Sequence, residues 1–409
     1  MRELVEQRTA LSEWWLNDDG TITKLSFDRP KFFDAGGGRF ALIDTTVIAD
    51  KGRPGSFVNT AGAQTFTFSP IGGNGAGGVE VTAPGRAAIR FWPSFAQPAS
   101  KNGVAPTVGV GAKANVVTYT DVAPGVDLVY TVQPGGLSER IVLRAPTKTA
   151  DWVFEVEGAS LQPKKDAAGK DAANVFESAD PADGFVLPGA IVIDPNGEPR
   201  HGANNATVQH ADPLGDRPAK TVGGPATKVS KFTVGVDAVW LASLSAKDFP
   251  VIIDPTVTDT GTYRTAFQST GYSPGLNAFA ESFAGVNPAG DIWRSYVQFG
   301  NFKDPYATTT YIADAHLDLT SSLGWEFDQT SPVEVHDATA YDWWNWSFTS
   351  MNATVVGSAS LADHASIDVT GLVRAWLGER VVVWGGGVQR QRVDDEHEEG
   401  VLRDARHDL

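Results

Sequence analysis

Residues able to do chemistry are scattered along the 409-residue chain, with no catalytic spacing among them. The seven histidines, His201, His210, His316, His336, His364, His397 and His407, show neither HExxH nor any paired-His spacing that would put two imidazoles together on zinc. His316 and His336 fall in strand-like runs, where a surface or internally satisfied imidazole is a plainer reading than a metal ligand. Gly271-Tyr272-Ser273-Pro274-Gly275 matches the Gly-x-Ser-x-Gly nucleophile elbow by letter. The residue after such a serine must donate its backbone N–H to the oxyanion hole, and Pro274 has none, so the run reads as a turn. Asp18-Asp19 and Asp180 with Asp183 are carboxylate pairs in Gly/Pro-rich loops, but glycosidase carboxylates meet only in space and spacing selects neither pair. With zero cysteines, disulfides, thiolate metal sites and Cys nucleophiles are excluded, although secretion is not. No catalytic residue is assigned, and the expectation is a protein that is not an enzyme.

Sugar recognition is the chemistry best matched by residue type. It uses aromatic faces against the apolar face of a pyranose and polar neighbours for its hydroxyls. Tyr341, Trp343, Trp344 and Trp346, beside Asp342 and Asn345, supply both. On a strand Trp344 and Trp346 share one face and Trp343 the other, so one set belongs to the core. Tyr341, Trp343, Trp344, Asn345 and Trp346 are therefore the candidate ligand-binding residues, with Tyr272, Tyr306 and Trp325 as secondary loop aromatics. Loop carboxylates and carbonyls could hold a structural calcium, but no Asp-x-Asp-x-Asp-Gly loop exists; no metal ligand is assigned and no cofactor is expected.

Charge narrows the partners. Between Gly378 and Leu409 lie eight Asp/Glu against five Lys/Arg, a net −3, so the rest of the chain keeps −13 of the total −16. So acidic a surface repels phosphate backbones and anionic membranes, which disfavours nucleic acid and favours neutral or cationic partners such as a polysaccharide. No stretch approaches the roughly 20 apolar residues of a membrane span. Met1 to Gln7 has no apolar signal core, so a secreted assignment requires an upstream segment.

The elements that must position these residues read as strands. With 43 Gly and 24 Pro, turns recur about as often as an all-β fold requires. Thr21–Phe27 and Gln64–Phe68 alternate, and Gly36-Gly37-Gly38 and Gly72-Gly73-Asn74-Gly75 break the runs as turns. Val116–Tyr130 reads as two strands about a type II Pro124-Gly125 turn, and Ser138–Leu143 as the next strand. Loops rich in Lys/Asp/Ala and then Pro/Gly/Asn make 158–235 the loosest portion. Val239-Trp240-Leu241 and Phe249–Thr256 close the first region, with a boundary after Thr256. Further strands are expected at Arg294–Phe299, Ala315–Leu319, Val333–His336 and Ser366–Val369. A short helix follows, with Thr370 as N-cap and Leu372, Val373, Trp376 and Leu377 on its apolar face.

Two of these stretches carry a likeness to known families. The run Tyr119–Tyr130, the Gly135–Glu139 segment and the Pro250–Thr256 close resemble, in order and spacing, the N-terminal region of secreted bacterial RHS/YD-repeat proteins over about residues 8 to 256. Arg294–Phe299, Ala313–Leu317, Val333–His336, the Trp343–Trp346 cluster and Ile367–Leu377 together resemble the DNRLRE domain, carbohydrate-binding module family 96. The resemblance implies a non-enzymatic extracellular or cell-wall module, carbohydrate-binding or for display, with downstream repeat or toxin domains in the parent protein. The alternative is an accessory segment of a secreted hydrolase or toxin whose catalytic domain is absent.

The expected architecture is therefore all-β: a β-rich N-terminal region of twisted sheets over 1–256, then a jelly-roll-like β-sandwich over 257–377 lacking its last strands. Residues 378–409 read as a disordered out-of-frame tail. Translated one nucleotide later with permitted codons, 378–409 can give ASVSSYG, two open positions, then ASSANESTTNTKKVFFATRATT, which supplies the turn, polar loop and closing apolar strand that the resemblance leads one to expect. Without those strands, sheet edges stay unpaired, Trp376 is exposed and the second domain is marginal or aggregation-prone.

Overall fold

The computed structural model describes residues 1–27, 30–72, 77–86, 88–96, 103–159, 161–165, 171–178, 186–187, 191–193, 199–200, 229–254, 257–258, 263–269, 284–286, 290–298, 312–320, 332–339, 347–360, 364–376, 379–384 and 387–392. Among them the chain is mostly β-strand, with two short α-helices, Ala238–Ser243 and Thr370–Trp376. Among the described residues every strand pairing is antiparallel, and no sheet closes on itself. The all-β expectation holds. The chain divides into two compact units, 1–301 with 340–350, and 302–339 with 351–409. This division does not fall after Thr256, and the strand Val257–Thr258 still pairs with Gly136–Leu143.

The first unit is built on two large sheets. A seven-stranded sheet runs in the order Val229–Gly235, Asp151–Glu157, Ile89–Pro93, Gly78–Thr82, Thr65–Ser69, Phe57–Ala61 and Asp44–Ala49. The second, eleven-stranded sheet has Thr107–Val108, Val116–Ala123, Val126–Gln133 and Gly136–Leu143 at one side, and Gly136–Leu143 also pairs with Val251–Asp254. Strand period explains how they face each other. Along Val126–Gln133, Val126, Leu128, Tyr130 and Val132 are buried on one side, and Phe68 and Phe91 from the other sheet meet Tyr130 with ring centroids 5.9 and 6.2 Å away. Phe154 stacks on Phe232 at 4.8 Å and takes Phe95 edge-on at 5.5 Å. Each such buried side chain contributes about 1.5–3 kcal/mol.

The hairpin from Val116 shows what its sequence motif does. Ala123 pairs with Val126, leaving Pro124-Gly125 as the loop, and Gly125 takes φ +74°, as position three of a type II turn requires. Ahead of it the pairing shifts between Tyr119 and Ala123, and Asp121 sits at φ +54°, a backbone region that Asp tolerates better than most residues. The Asp127 carboxylate accepts the Asp121 N–H at 2.7 Å. Arg144 ties both acids, pairing with Asp121 and with Asp127 Oδ2 at 3.1 Å, while its own N–H donates to Gly125 O at 2.9 Å. The most distinctive run in the chain is thus a clamp on a bulged hairpin.

One segment the sequence left without an element forms a helix, and one local expectation needs correction. Val239-Trp240-Leu241 is helical, because the Asp237 side chain accepts the N–H groups of Val239 and Trp240 at 2.8 and 2.9 Å and so caps the helix Ala238–Ser243. The segment after Gly378, expected to be disordered, contains a hairpin of Glu379–Trp384 with Gly387–Arg392, in which Trp384 pairs with Gly387. The β-branched run Val381-Val382-Val383 favours extended backbone. Residues 393–409 lie outside the described residues.

The second unit has the sheets His316–Thr320 with His364–Asp368, Pro332–Ala338 with Met351–Ser360, and the hairpin just given. Ile367, Val369 and Val373 form its buried cluster, with half-buried Leu317, Leu319, Val335, Val356 and Leu372 against them. Thr370, expected as N-cap, is the first helical residue; its N–H donates to Asp368 Oδ1 at 2.9 Å. The Thr370 hydroxyl accepts the Ala315 N–H at 2.8 Å, and Arg374 donates to the carbonyls of Ile312 and Ala313, each at 2.8 Å. The Ile367–Trp376 motif therefore locks helix to strand.

Candidate functional site

The candidate ligand-binding residues Tyr341, Trp343, Trp344, Asn345 and Trp346 lie outside the described residues, as do Tyr272, Tyr306 and Trp325. What is described is the chain directly after the aromatic run. Ser347–Ser350 forms a tight turn, with the Ser350 N–H donating to Ser347 O at 3.0 Å and the Ser347 N–H to Ser350 Oγ at 2.8 Å. The turn is fastened to the strand Ile292–Gln298. Arg294 Nη1 donates to Phe348 O at 2.8 Å, its guanidinium lies 4.0 Å from the Phe348 ring centroid, and the Tyr296 hydroxyl donates to the same carbonyl at 3.3 Å. Tyr296 is buried, which pushes its hydroxyl pKa up despite the opposing pull of Arg294, so it remains a neutral donor. Spacing alone gave no sign of this anchor, since the strand and the turn are more than fifty positions apart.

The remaining candidates serve the fold or fall outside the description. His336 hydrogen-bonds through Nδ1 to Asn352 O at 2.9 Å, and its Nε2 is 3.4 Å from Glu334 Oε2. His316 Nδ1 lies 3.4 Å from Ser366 Oγ and its Nε2 3.7 Å from Asp314. His201, His210, His397 and His407, the side chain of His364, Ser273 with its flanking residues, and Asp180 and Asp183 are outside the described residues. Asp19 closes its turn by accepting the hydroxyl and the N–H of Thr21 at 2.6 and 3.0 Å, which hold its carboxyl below the usual range. Asp18 pairs with the amino group of Met1. Among the described residues, no group of three His, Cys, Asp or Glu side chains could hold a metal ion.

Two polar constellations were not foreseen. In the core of the first unit, Tyr130 donates to Glu139 Oε1 at 2.6 Å, and Tyr119 donates to Ser69 O at 3.0 Å with its ring edge-on to Tyr130 at 5.9 Å. Burial pushes both tyrosine hydroxyls well above their ordinary range, with the Glu139 carboxylate adding to the effect at Tyr130. Sealed from solvent, the trio fixes the sheets against each other and has no route to a substrate. The second constellation is an ionic grid on the opposite face of the seven-stranded sheet. Glu80 accepts from Arg53 at 2.6 Å and Arg90 at 2.5 Å, Arg90 reaches Glu157 at 3.3 Å, and Lys231 lies 3.8 Å from Glu155. Desolvation raises the Glu80 pKa, but the hydrogen bonds and charges of Arg90 and Arg53 outweigh it and hold the carboxyl below its usual range. Strand register places Arg90 opposite Glu80 and Glu157, and Lys231 opposite Glu155, so these pairs are cross-strand, while Arg53 reaches Glu80 from the turn after Asp44–Ala49.

Neither a family model, nor a curated protein, nor a solved structure matches the chain.

Proposed function

We propose that the chain is a non-enzymatic extracellular module, a carbohydrate-binding or display region of the kind found in RHS/YD-repeat proteins, with a polysaccharide as its partner. The observation that carries this reading is the anchor of Arg294 and Tyr296 on Phe348. It fixes Ser347–Ser350, which directly follows the aromatic-rich run in sequence, on a strand, and a fixed attachment lowers the ordering cost of binding a saccharide nearby. Antiparallel sheets with acidic loops suit an uncharged polymer at the surface better than an anionic one. The RHS-type and DNRLRE-type resemblances agree with such a role. The test is retention on insoluble cell-wall, plant and algal polysaccharides. Retention that falls about tenfold in Trp344→Ala or Trp346→Ala is expected; absence of retention on every polymer, or retention unchanged by both substitutions, rules the binding role out.

A further inference from the structure

The ionic grid of the first unit, on the face of the seven-stranded sheet turned away from the core, has an order that its single ion pairs do not require. Strand register sets Thr67, Glu80, Arg90 and Glu157 side by side in one row across four neighbouring strands. Arg53 approaches Glu80 from the side of Phe57–Ala61, and Arg90 from the side of Asp151–Glu157. Along the row the charges therefore alternate: Arg53 positive, Glu80 negative, Arg90 positive, Glu157 negative. Two positions along the strands, Glu155 and Lys231 form a further opposite pair. Three cations and three carboxylates make the group neutral in a chain of net charge −16. The carboxylates are already sheltered in the single chain, with 10% of the Glu80 and Glu155 side chains and 18% of Glu157 exposed, whereas Arg53 keeps 51% and Arg90 33%.

We propose that this face is a twofold interface between two copies of the chain. The alternation of charge selects a second copy as the occupant. A twofold axis lying between the two faces, parallel to the strands and level with the gap between Gly78–Thr82 and Ile89–Pro93, turns the row end for end. Arg53 then faces the partner's Glu157, and Glu80 the partner's Arg90, so that every charge of the row meets its opposite. Packed sheets keep their strands within about 30° of each other, which holds the two rows in register over so short a span. Elsewhere two copies of so acidic a chain repel. At about 0.15 M salt the Debye length of about 8 Å screens those distant charges more than the facing ones. Burying ions is costly, but the carboxylates of this face have lost most of their water on folding. Seven strands about 4.8 Å apart and about five residues long give a face of roughly 570 Å² per copy, near the lower limit for specific interfaces, so the dimer is weak and forms in the micromolar range or above. The interface contains no residue of the aromatic run and does not rest on the saccharide reading.

The experiment is sedimentation velocity on the full chain, from about 1 µM to about 0.3 mM at about 0.15 M salt. A concentration-dependent dimer is expected. Arg53→Glu and Glu157→Lys each set like charges face to face across the interface while leaving the Glu80–Arg90 pair in place, and each weakens the dimer at least about tenfold. Arg53→Gln, which removes the charge without reversing it, weakens the dimer less. An equimolar mixture of Arg53→Glu with Glu157→Lys regains association, since in the mixed pair both end contacts again join opposite charges. Misfolding of a variant cannot imitate that rescue. A chain that stays monomeric throughout the range overturns the proposal. So does a dimer that neither substitution weakens, because it is seated elsewhere on the molecule. Loss of the dimer in both variants with no return in the mixture overturns the end-for-end pairing, and the proposal with it.

Discussion

The first unit and the second are both antiparallel, but they are held together differently. In the first, thirty described side chains, most of them from two facing sheets, form one buried cluster. In the second, the described buried cluster is Ile367, Val369 and Val373, set among sheets of two strands each. A two-stranded sheet is marginal in water without a packed face, so the second unit depends more on directed polar bonds: Asp368 and Thr370 at the helix start, and Arg374 on the carbonyls of Ile312 and Ala313. The first unit has a comparable clamp in Arg144, but there the clamp tops a core that is already closed. The comparison teaches that a polar motif of one appearance carries different weight according to how much apolar surface lies behind it.

High pH gives the largest effect and separates the units. Tyr119 and Tyr130 have folded pKa values raised well above 10.0 by burial. Their contribution is fully present below the unfolded value and is lost as pH rises from there through the folded value. Between the unfolded and folded values the loss is roughly 1.4 kcal/mol per pH unit for each tyrosine, so the first unit should weaken steadily as pH rises past about 10. No described residue of the second unit is a tyrosine. Near-UV absorbance and hydrogen exchange should show the first unit unfolding as its tyrosinates form, with amides of 364–376 following a different profile. A single shared alkaline transition would break the comparison.

Core truncation comes next. Phe154→Ala removes a ring wedged between Phe232 and Phe95 and should cost about 3–5 kcal/mol in denaturant unfolding of the first unit. In the second unit a glycine marks a close approach between chain segments. A Cβ at Gly357 would lie 2.6 Å from Ile367 Cγ2 and 2.9 Å from Asp368 O, so Gly357→Ala should cost about 1–3 kcal/mol by overpacking. With so thin a core, that smaller loss is expected to lower hydrogen-exchange protection across 364–376. Unchanged protection there would show that the second unit has slack in its packing.

How far the sequence foretold this molecule depended on whether a signal was local. Alternation in Val116–Gln133 and the Pro124-Gly125 turn were readable because period and turn chemistry are properties of neighbours. The helix Ala238–Ser243 was missed because three apolar residues in a row suit strand and helix equally, and the deciding feature was the Asp237 cap. The hairpin after Gly378 was hard to read because only Val381-Val382-Val383 is strongly β-forming and a long charged string follows it. Glu139 reads as a surface acid until strand register places it opposite Tyr130. Arg53, Glu80, Arg90 and Glu157 carry no common spacing, and only strand register and the turn after Asp44–Ala49 unite them. Conversely, Asp121, Asp127, Asp368 and Arg374 lie in the distinctive runs Tyr119–Tyr130 and Ile367–Leu377, and their contacts give them a mechanical role.

The smallest effects test the comparison most directly, since they exchange one clamp for another. Arg144 is 42% exposed at its side chain; its pair with Asp121, 57% exposed, is largely screened and that with the 13% exposed Asp127 less so, and Arg144→Ala should cost about 1 kcal/mol. Arg374→Ala leaves the Ile312 and Ala313 carbonyls without their charged donor and should cost about 2 kcal/mol, because hydrogen bonds to charged groups outweigh neutral ones. Arg374→Lys cannot span both carbonyls with the geometry of a guanidinium fork and should recover less than half of the loss. The two alanine variants, compared by denaturant midpoints with exchange assigning each loss to its unit, decide the matter. If Arg144→Ala costs as much as Arg374→Ala, the clamp in the first unit supports the core instead of resting on it, and burial no longer explains why the two halves differ.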